Sequence, residues 1–414
     1  MLEHAFVRTR VIVRLRRGPL GPHLDDLAAS LHQEGYAPSS IQRYLRAAEQ
    51  FTEWLKGQGY AIYQIDKDLL QRYLSGLTRY PSGKLPKAAQ GLGHLLRFLH
   101  QQGVMNSRQA EHPPSALEQW LVEYDAHLDQ VAGLALSTRQ GYRRLVRRFI
   151  TACFGSERPN WQALTASMIT AFVSREATTR QRGGRKYPSV AVRSFLRFLV
   201  FEGEIRPGLE AAAPAPPQWR HSSLPSHLMP EEVARVLTVY QDGTVSSLRN
   251  HAMLLLLARL GLRGQDVISL RLDDIDWADG RLDLRPGKSR RERSVPLPQD
   301  VGQAMVAYLQ GGRPQSESRQ VFLRCRPPFR PLTKSALWYV VRQTFKRAGL
   351  VVPPGSAGHI FRHTVASQMV NRGATFKEVA DVLGHQSIET TGIYAKLEMN
   401  ALAAVALPWG GETP

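Results

Sequence analysis

Five short motifs in the C-terminal half of the chain carry residue types that could take part in chemistry. In chain order they are Gly261-Leu-Arg263, Gly287-Lys288, His359-x-x-Arg362-His363-Thr364, Leu383-Gly-His385 and Thr391-x-x-Tyr394. A guanidinium group binds two phosphate oxygens at once, and Lys and His side chains exchange protons with reacting groups. A tyrosine hydroxyl can act as a nucleophile and form a covalent intermediate. These residue types could therefore support a group transfer if the fold brings them together.

Local patterns predict the elements around the first two motifs. The apolar run from His251 to Leu260 predicts a buried helix that ends shortly before Arg263. Two strand-like segments, Arg281 to Leu284 and Arg293 to Leu297, predict a hairpin. We expect Lys288 to lie at the tip of that hairpin.

The later motifs are predicted to lie on helices. His359 and Arg362 stand three residues apart at the start of a helical run, so one face of that helix presents both to a common ligand. A second helix is predicted to end at Leu383. The segment from Ser387 to Ala395 predicts a further helix with Tyr394 near its C-terminal end.

The pair His359 and His363 also has the spacing of two zinc ligands on a helix. A zinc protease would need Glu at position 360, where this chain has Ile. We therefore predict no metal site and no cofactor, and we interpret His363 as a buried structural histidine.

The composition points to a polyanionic partner. The formal net charge is +19 and the sequence pI is about 10.3. Basic residues outnumber acidic ones by 29 to 17 in residues 1–206 and by 25 to 18 in the remainder. Because the excess is spread along the whole chain, it favours a long contact with nucleic acid over a single basic tail.

Membrane and disulfide-rich classes fit poorly. The longest apolar run, Ala252 to Leu262, is interrupted by Arg259 and is shorter than the roughly 20 residues that span a bilayer. Cys153 and Cys325 are far apart and have no neighbouring metal ligands, which argues against a disulfide framework. We expect a cytoplasmic protein with no membrane partner and no small-molecule substrate.

The first half contains an internal repeat. Gly35 to Tyr44 aligns without gaps onto Gly133 to Tyr142, and Leu96 to Leu99 matches Leu196 to Leu199. We predict two copies of one helical module, and we interpret the Tyr and Phe that recur seven residues apart in each copy as core residues. The predicted domains are a basic N-terminal arm (1–22), a first helical DNA-binding module (23–106), a second one (114–206), a linker (207–224) and a C-terminal domain (225–414).

Cationic side chains on these modules and on the hairpin are candidates for contacts with a nucleic-acid backbone. Several belong to the second helix of each copy, and others to the polar loop that precedes its last helix. The candidates are Arg43, Lys84, Lys87, Arg139, Arg143, Arg180, Arg182, Arg185, Lys186 and Arg290.

The five motifs, in this order, resemble those of the tyrosine recombinase (phage integrase) family. The resemblance covers residues 225–396, and the two N-terminal modules resemble the SAM-like core-binding domain of that family, present twice where ordinary members have one. It implies a mainly α fold with a small antiparallel sheet, built from two N-terminal helical bundles and a tyrosine recombinase catalytic domain. Two departures lie beside the motifs: Asp266 where the family usually has Glu, and Ile360 where Asp is common.

The resemblance also implies a role for each motif residue. Arg263 and Arg362 would clamp the scissile phosphate, and Lys288 would donate a proton to the leaving 5′-oxygen. His359 would act as general base or phosphate ligand, and His385 would donate a hydrogen bond to a nonbridging oxygen. Tyr394 would be the nucleophile that forms a 3′-phosphotyrosine, so no ATP would be needed.

The function implied is site-specific recombination of double-stranded DNA by a homo-tetramer, or by an assembly that also contains companion recombinases. The duplicated module favours the integrase or transposase of a mobile element. A resolvase of chromosome or plasmid dimers with the same chemistry is one alternative. A noncatalytic DNA-binding regulator that keeps the fold is another, and it would form no covalent adduct with DNA.

Overall fold

The computed structural model describes residues 2–18, 20–65, 67–77, 87–104, 115–155, 158–180, 184–214, 226–285, 292–351, 359–384 and 391–397. Within these ranges the chain is mainly helical and contains a three-stranded antiparallel sheet. The predicted fold class is confirmed. No helix in this described part is both long enough and apolar enough to cross a membrane.

A first helical bundle forms around one apolar core. Its helices are α1 (Leu2–Ala5), α2 (Thr9–Arg17), α3 (Gly21–Gln33), α4 (Pro38–Gly57), α5 (Lys67–Gly76) and α6 (Lys87–Gln101). Pro residues stand in the first turn of α3 and of α4, where the missing backbone donor costs nothing. The segment predicted as an arm is helical, and its Leu2, Ile12 and Leu15 are buried in the same core.

A second bundle has its own core. Its helices are α7 (Ala116–Gln130), α8 (Leu136–Phe154), α9 (Ala166–Thr178) and α10 (Lys186–Phe201). The hydroxyls of Ser115 and Thr165 accept hydrogen bonds from backbone N–H groups in the first turns of α7 and α9, which fixes where these helices begin.

The two bundles follow the same order of elements. Helices α3 to α6 of the first bundle correspond in order to α7 to α10 of the second. In each set a short 3-10 helix follows the second helix, at Ile62–Gln64 in the first bundle and at Trp161–Ala163 in the second. The predicted core positions Tyr44 and Phe51 on α4 are buried, as is Phe149 on α8. Tyr142 is only partly buried against its core.

The C-terminal unit packs helices around the long buried helix α12. Its helices are α11 (Pro230–Leu237), α12 (Val245–Leu260), α13 (Gly264–Ser269), α14 (Gln299–Gly311), α15 (Lys334–Arg347), α16 (Ile360–Asn371) and α17 (Phe376–Leu383). Helix α12 begins six residues earlier than the sequence predicted, because the Thr244 hydroxyl caps it by accepting a hydrogen bond from the N–H of Ser247.

The small sheet has the strand order β1 (Ile275–Asp276), β2 (Arg281–Leu284) and β3 (Arg293–Pro296), all antiparallel. Leu282 pairs with Val295, and both side chains are buried against the core. The predicted hairpin is therefore confirmed, and β1 is an additional strand. Lys288 and Arg290 fall between β2 and β3, outside the described residues.

Candidate active site

The first motif lies where α12 ends. Gly261 adopts a left-handed conformation with φ of 59°, which stops the helix and turns the chain into α13. Arg263 occupies the N-cap position of α13, and the Asp266 carboxylate accepts a hydrogen bond of 3.3 Å from its backbone N–H. The tight turn thus directs the Arg263 side chain away from its own helix.

The third motif lies at the start of α16, where His359 is the N-cap residue. Arg362 follows in the first turn and is buried, with only 5% of its surface exposed. Its Nη1 donates a hydrogen bond of 3.0 Å to the carbonyl of Gly261, and its Nη2 donates to the carbonyl of Leu383. Arg362 therefore joins the ends of α12 and α17.

Three arginines converge on the C-terminal end of α17. Arg293 Nη1 donates to the carbonyl of Val382 at 2.8 Å, Arg362 Nη2 to that of Leu383, and Arg263 Nη2 to that of Gly384 at 2.9 Å. The last carbonyls of a helix have no partner within it and carry partial negative charge, so they attract cations. We name Arg263, Arg293 and Arg362 the arginine triad.

Arg293 is a member of this group that the sequence analysis missed. It begins β3, and its Nη2 also donates to Asp266 at 3.2 Å. A polar residue at the start of a strand facing the hairpin turn was the available signal, but only the fold shows that it reaches α17. Asp266, noted as a departure from the family pattern, is the carboxylate that pairs with it.

Mutual repulsion within the arginine triad shapes its electrostatics. Burial, together with the charges of Arg263 and Arg293, lowers the pKa of Arg362 to about 9. Burial also lowers the pKa of Arg293, which Asp266 partly offsets. A guanidinium stays protonated in proteins, so the lowered pKa of Arg362 expresses first the cost of burying its charge and then the cost of placing it beside two other cations. An oxyanion bound at the triad would offset the repulsion between the cations.

Tyr394 is almost completely buried between α16 and α17, with 1% of its surface exposed. Its hydroxyl lies 2.7 Å from Nδ1 of His363. Burial raises the pKa of the Tyr394 phenol to about 12, and the Arg362 charge opposes that rise. The pKa of His363 is lowered to about 4 by burial and by the charges of His359, Arg362 and His227. His363 is therefore neutral at physiological pH.

The local structure around Tyr394 differs from the sequence prediction. Tyr394 is the third residue of a 3-10 segment, Gly392–Leu397, and its N–H donates to the carbonyl of Thr391. In the described segment Tyr394 therefore lies within a short 3-10 helix, whereas the sequence predicted an α-helix that ends at Ala395. His385 and the start of the predicted helix are outside the described residues. Among the residues described, no three His, Cys, Asp or Glu side chains are grouped to hold a metal ion.

Gly261 provides a test of how tightly this site is packed. A Cβ added there would lie 2.9 Å from a methyl carbon of Leu383, on a backbone that L-residues rarely adopt. Gly280 has the same φ of 59° but open space around it. We expect Gly280→Ala to lower the free energy of unfolding by about 1 kcal/mol and Gly261→Ala by about 2–3 kcal/mol. Urea denaturation measures both, and equal losses would contradict a packed contact at Gly261.

The predicted DNA-binding residues of the second bundle have unequal surroundings. Arg139 is largely enclosed and lies 2.6 Å from Asp129, and Arg143 lies 3.8 Å from Asp125. Arg180 packs over the Tyr187 ring. Arg185 and Lys186, at the start of α10, are exposed. Arg182 is outside the described residues.

The first bundle presents a basic groove that the sequence analysis did not select. Arg8, Arg10, Arg14 and Arg46 line a cavity of about 500 Å³ between α2 and α4, which we name the arginine groove. Arg43, a predicted DNA contact, is partly buried, and its guanidinium packs over the Tyr44 ring. Lys87 begins α6, with a side chain that is not described, and Lys84 lies outside the described residues.

Sequence comparison finds two family profiles in the chain. Residues 226–401 match the phage integrase family, and residues 121–203 match the phage integrase N-terminal SAM-like domain. The "Putative integrase/recombinase y4rA" of Sinorhizobium fredii is 38% identical over 397 residues, which cover 95% of this chain and 96% of that protein. Such coverage includes both helical bundles. Tyrosine recombinase XerD of Mycobacterium tuberculosis is 31% identical over 315 residues, which cover 70% of this chain and 96% of that protein.

Solved structures share the fold. A lambda integrase tetramer bound to a Holliday junction matches with a TM-score of 0.53 and 17% identity, over 76% of this chain and 90% of that one. The similarity to this structure therefore concerns the arrangement of the helices, in addition to the sequence motifs.

Proposed function

This chain belongs to the phage integrase family of tyrosine recombinases, and from that premise we propose that it cuts and rejoins DNA through a covalent bond to Tyr394. The observation that carries the proposal is the meeting of Arg263, Arg362 and Tyr394 around the ends of α12, α16 and α17. Two of these residues bind adjacent carbonyls, and Arg362 acts electrostatically on the Tyr394 phenol. Residues 101 positions apart, Gly261 and Arg362, are in direct contact there.

The arginines would stabilise charge in place of a metal ion. Attack by the phenolic oxygen adds negative charge to the nonbridging oxygens of the phosphate, and guanidinium groups can donate to two of them at once. Arg263 and Arg362 each have N–H donors beyond those that the carbonyls of Gly384, Gly261 and Leu383 engage.

The reaction would conserve the energy of the phosphodiester. The Tyr394 oxygen bonds to phosphorus, the bond to the 5′-oxygen breaks, and Lys288 gives that oxygen a proton. The 3′-phosphotyrosine then reacts with the 5′-hydroxyl of another strand, which releases the tyrosine. His359 and His385 would hold the phosphate oxygens during both steps. No external energy source is required.

We further propose that the first bundle is a second copy of the DNA-binding module. Three observations support this: the internal sequence repeat, the common order of helices with a 3-10 helix at the same point, and the core positions of Phe51 and Phe149. The arginine groove supplies the first bundle with a surface that suits a DNA backbone.

The salt dependence of DNA binding tests the arginine groove. Each phosphate contact contributes about 0.9 to the slope of log K against log salt concentration, so R10Q/R46Q should flatten that slope by about 1 to 2. A duplex of fixed length and arbitrary sequence is the probe. The control is K56Q/R72Q, which removes two exposed charges elsewhere on the same bundle. Equal slopes for the two variants would remove the groove from the DNA interface.

The biological role that we propose is integration or transposition of a mobile element, carried out by a tetramer on two DNA sites. The support is the whole-chain similarity to a relative named as an integrase/recombinase. Exchange of two duplexes requires four strand cleavages, and each active site cuts one strand. A tetramer of the related lambda integrase is seen on a Holliday junction.

Covalent capture tests the central proposal and also identifies the DNA site. The protein is mixed with a library of nicked duplexes with a randomised central segment, and DNA that stays attached after denaturation in SDS is sequenced. A nick beside the cleavage point lets the short fragment that carries the freed 5′-hydroxyl diffuse away, which traps the adduct. We expect one enriched sequence. If DNA binds but no adduct forms at any sequence, the protein is a noncatalytic regulator.

A further inference from the structure

We propose that His363, interpreted from sequence as a structural residue, is a further catalytic residue that takes the proton of the Tyr394 hydroxyl as this oxygen attacks DNA. The inference rests on the proposed function, because it concerns the same reaction. It starts from the contact of 2.7 Å between Nδ1 of His363 and the phenolic oxygen. A ring nitrogen within hydrogen-bond distance of the reacting oxygen is a candidate to receive its proton.

The position of His363 in the fold suits this role. It directly follows Arg362 in the first turn of α16, so one helical turn carries a phosphate-binding arginine and the partner of the nucleophile. The backbone N–H of His363 donates to the carbonyl of His359, and its carbonyl accepts from the Ser367 hydroxyl at 2.7 Å. These bonds hold the backbone that carries the imidazole within the first turns of α16.

The protonation state of His363 also suits an acceptor. Since its pKa is lowered to about 4, the imidazole is neutral near pH 7 and has one nitrogen that accepts a hydrogen bond. With the proton on Nε2, Nδ1 accepts from the Tyr394 hydroxyl. The phenol, with its pKa raised to about 12, then remains protonated until it reacts.

Binding of a DNA phosphate would strengthen His363 as a base. The charges that lower its pKa belong to Arg362, His359 and His227. A phosphate at the arginine triad brings negative charge that opposes these cations, so it favours the protonated imidazole. His363 would thus be a stronger base with the scissile phosphate in place, although burial, the largest cause of its lowered pKa, would remain.

The proton balance closes over the full cycle. During cleavage the phenolic proton moves to Nδ1 of His363, while Lys288 protonates the leaving 5′-oxygen. During rejoining the incoming 5′-hydroxyl gives its proton to Lys288, and the departing tyrosine oxygen regains its proton from His363. Both residues return to their starting states, and His359 remains available to bind the phosphate.

The test measures single-turnover adduct formation on the DNA sequence selected by covalent capture. We expect H363Q to slow this step by about 100-fold to 1,000-fold, because general bases contribute in that range. The matched control is H251Q, which changes another partly buried histidine of the same domain with a burial-lowered pKa. H251Q should form adduct at the unsubstituted rate. Melting temperatures of both variants report whether they fold.

A fluorinated tyrosine separates proton transfer from a structural role. Ring fluorines lower the phenol pKa, so a trifluorotyrosine at position 394 loses its proton more easily and depends less on a protein base. With this residue, the rate difference between the unsubstituted protein and H363Q should shrink at least tenfold. A difference that persists would overturn the proposal, as would H363Q being as fast as the unsubstituted protein or faster. Absence of adduct in the unsubstituted protein would instead overturn the proposed function.

Discussion

Replacing Tyr394 by phenylalanine is expected to abolish covalent attachment to DNA, with a loss on the order of 10⁴-fold or more, because removal of a nucleophile leaves no alternative route to the adduct. DNA binding should be unaffected, since the lost hydroxyl is buried against His363 and not exposed on a surface. Adduct formation on the captured sequence, followed by denaturing electrophoresis, measures the first effect, and a gel-shift titration measures the second.

The control for this variant is Tyr308→Phe. Tyr308 is also fully buried in the C-terminal unit, and its hydroxyl accepts a hydrogen bond from the N–H of Leu323. Y308F removes the same atom from a residue that is not part of the arginine triad, and it should form adduct at the normal rate. If Y394F retained its adduct, another residue would have to be the nucleophile.

Arg362→Lys is expected to slow adduct formation by about 100-fold to 1,000-fold. Lysine keeps the charge, but its single ammonium group cannot donate to two phosphate oxygens in the fork geometry of arginine. It also cannot reach the carbonyls of both Gly261 and Leu383 in the same way. The effect should appear in the rate at saturating DNA, because phosphate contacts along the bundles still support binding.

Arg249→Lys is the matched control for this change. Arg249 is a buried arginine of the same unit, and it donates to the carbonyl of Leu323 at 3.0 Å and to the Asn250 side chain. We expect R249K to lower stability while the folded protein forms adduct normally. An equal loss of rate in R249K and R362K would indicate a general packing defect, and the phosphate clamp would then have no support.

Much of the fold follows from local signals in the sequence. Periodicity and end signals predict the hairpin between Arg281 and Pro296, the helix that starts after His359 and the helix that ends at Leu383. The N-terminal segment is harder to interpret. Its many arginines suggest an exposed arm, whereas Leu2 and Leu15 pack into the first bundle. Helices as short as α1 and α2 contain too few apolar residues to show a clear helical period among so many arginines.

The site is predicted less completely, because its contacts are not local. The motif order identifies Arg263, Arg362 and Tyr394 by resemblance, but no spacing rule indicates that Arg293 reaches the carbonyl of Val382, 89 residues away. The same holds for His363. A helical period assigns a residue to a face, but whether that face meets a core or a reacting oxygen depends on the tertiary packing.

The arginine triad donates to three consecutive carbonyls at the end of α17, those of Val382, Leu383 and Gly384. The positions of the three guanidinium groups therefore depend on one another. Displacing the last turn of α17 would break one hydrogen bond of each of the three guanidinium groups in one event, while Arg362 would keep its bond to Gly261 and Arg293 its bond to Asp266. Activity should therefore depend on the placement of this helix end. A subunit could therefore be silenced without any change to the residues that perform the chemistry.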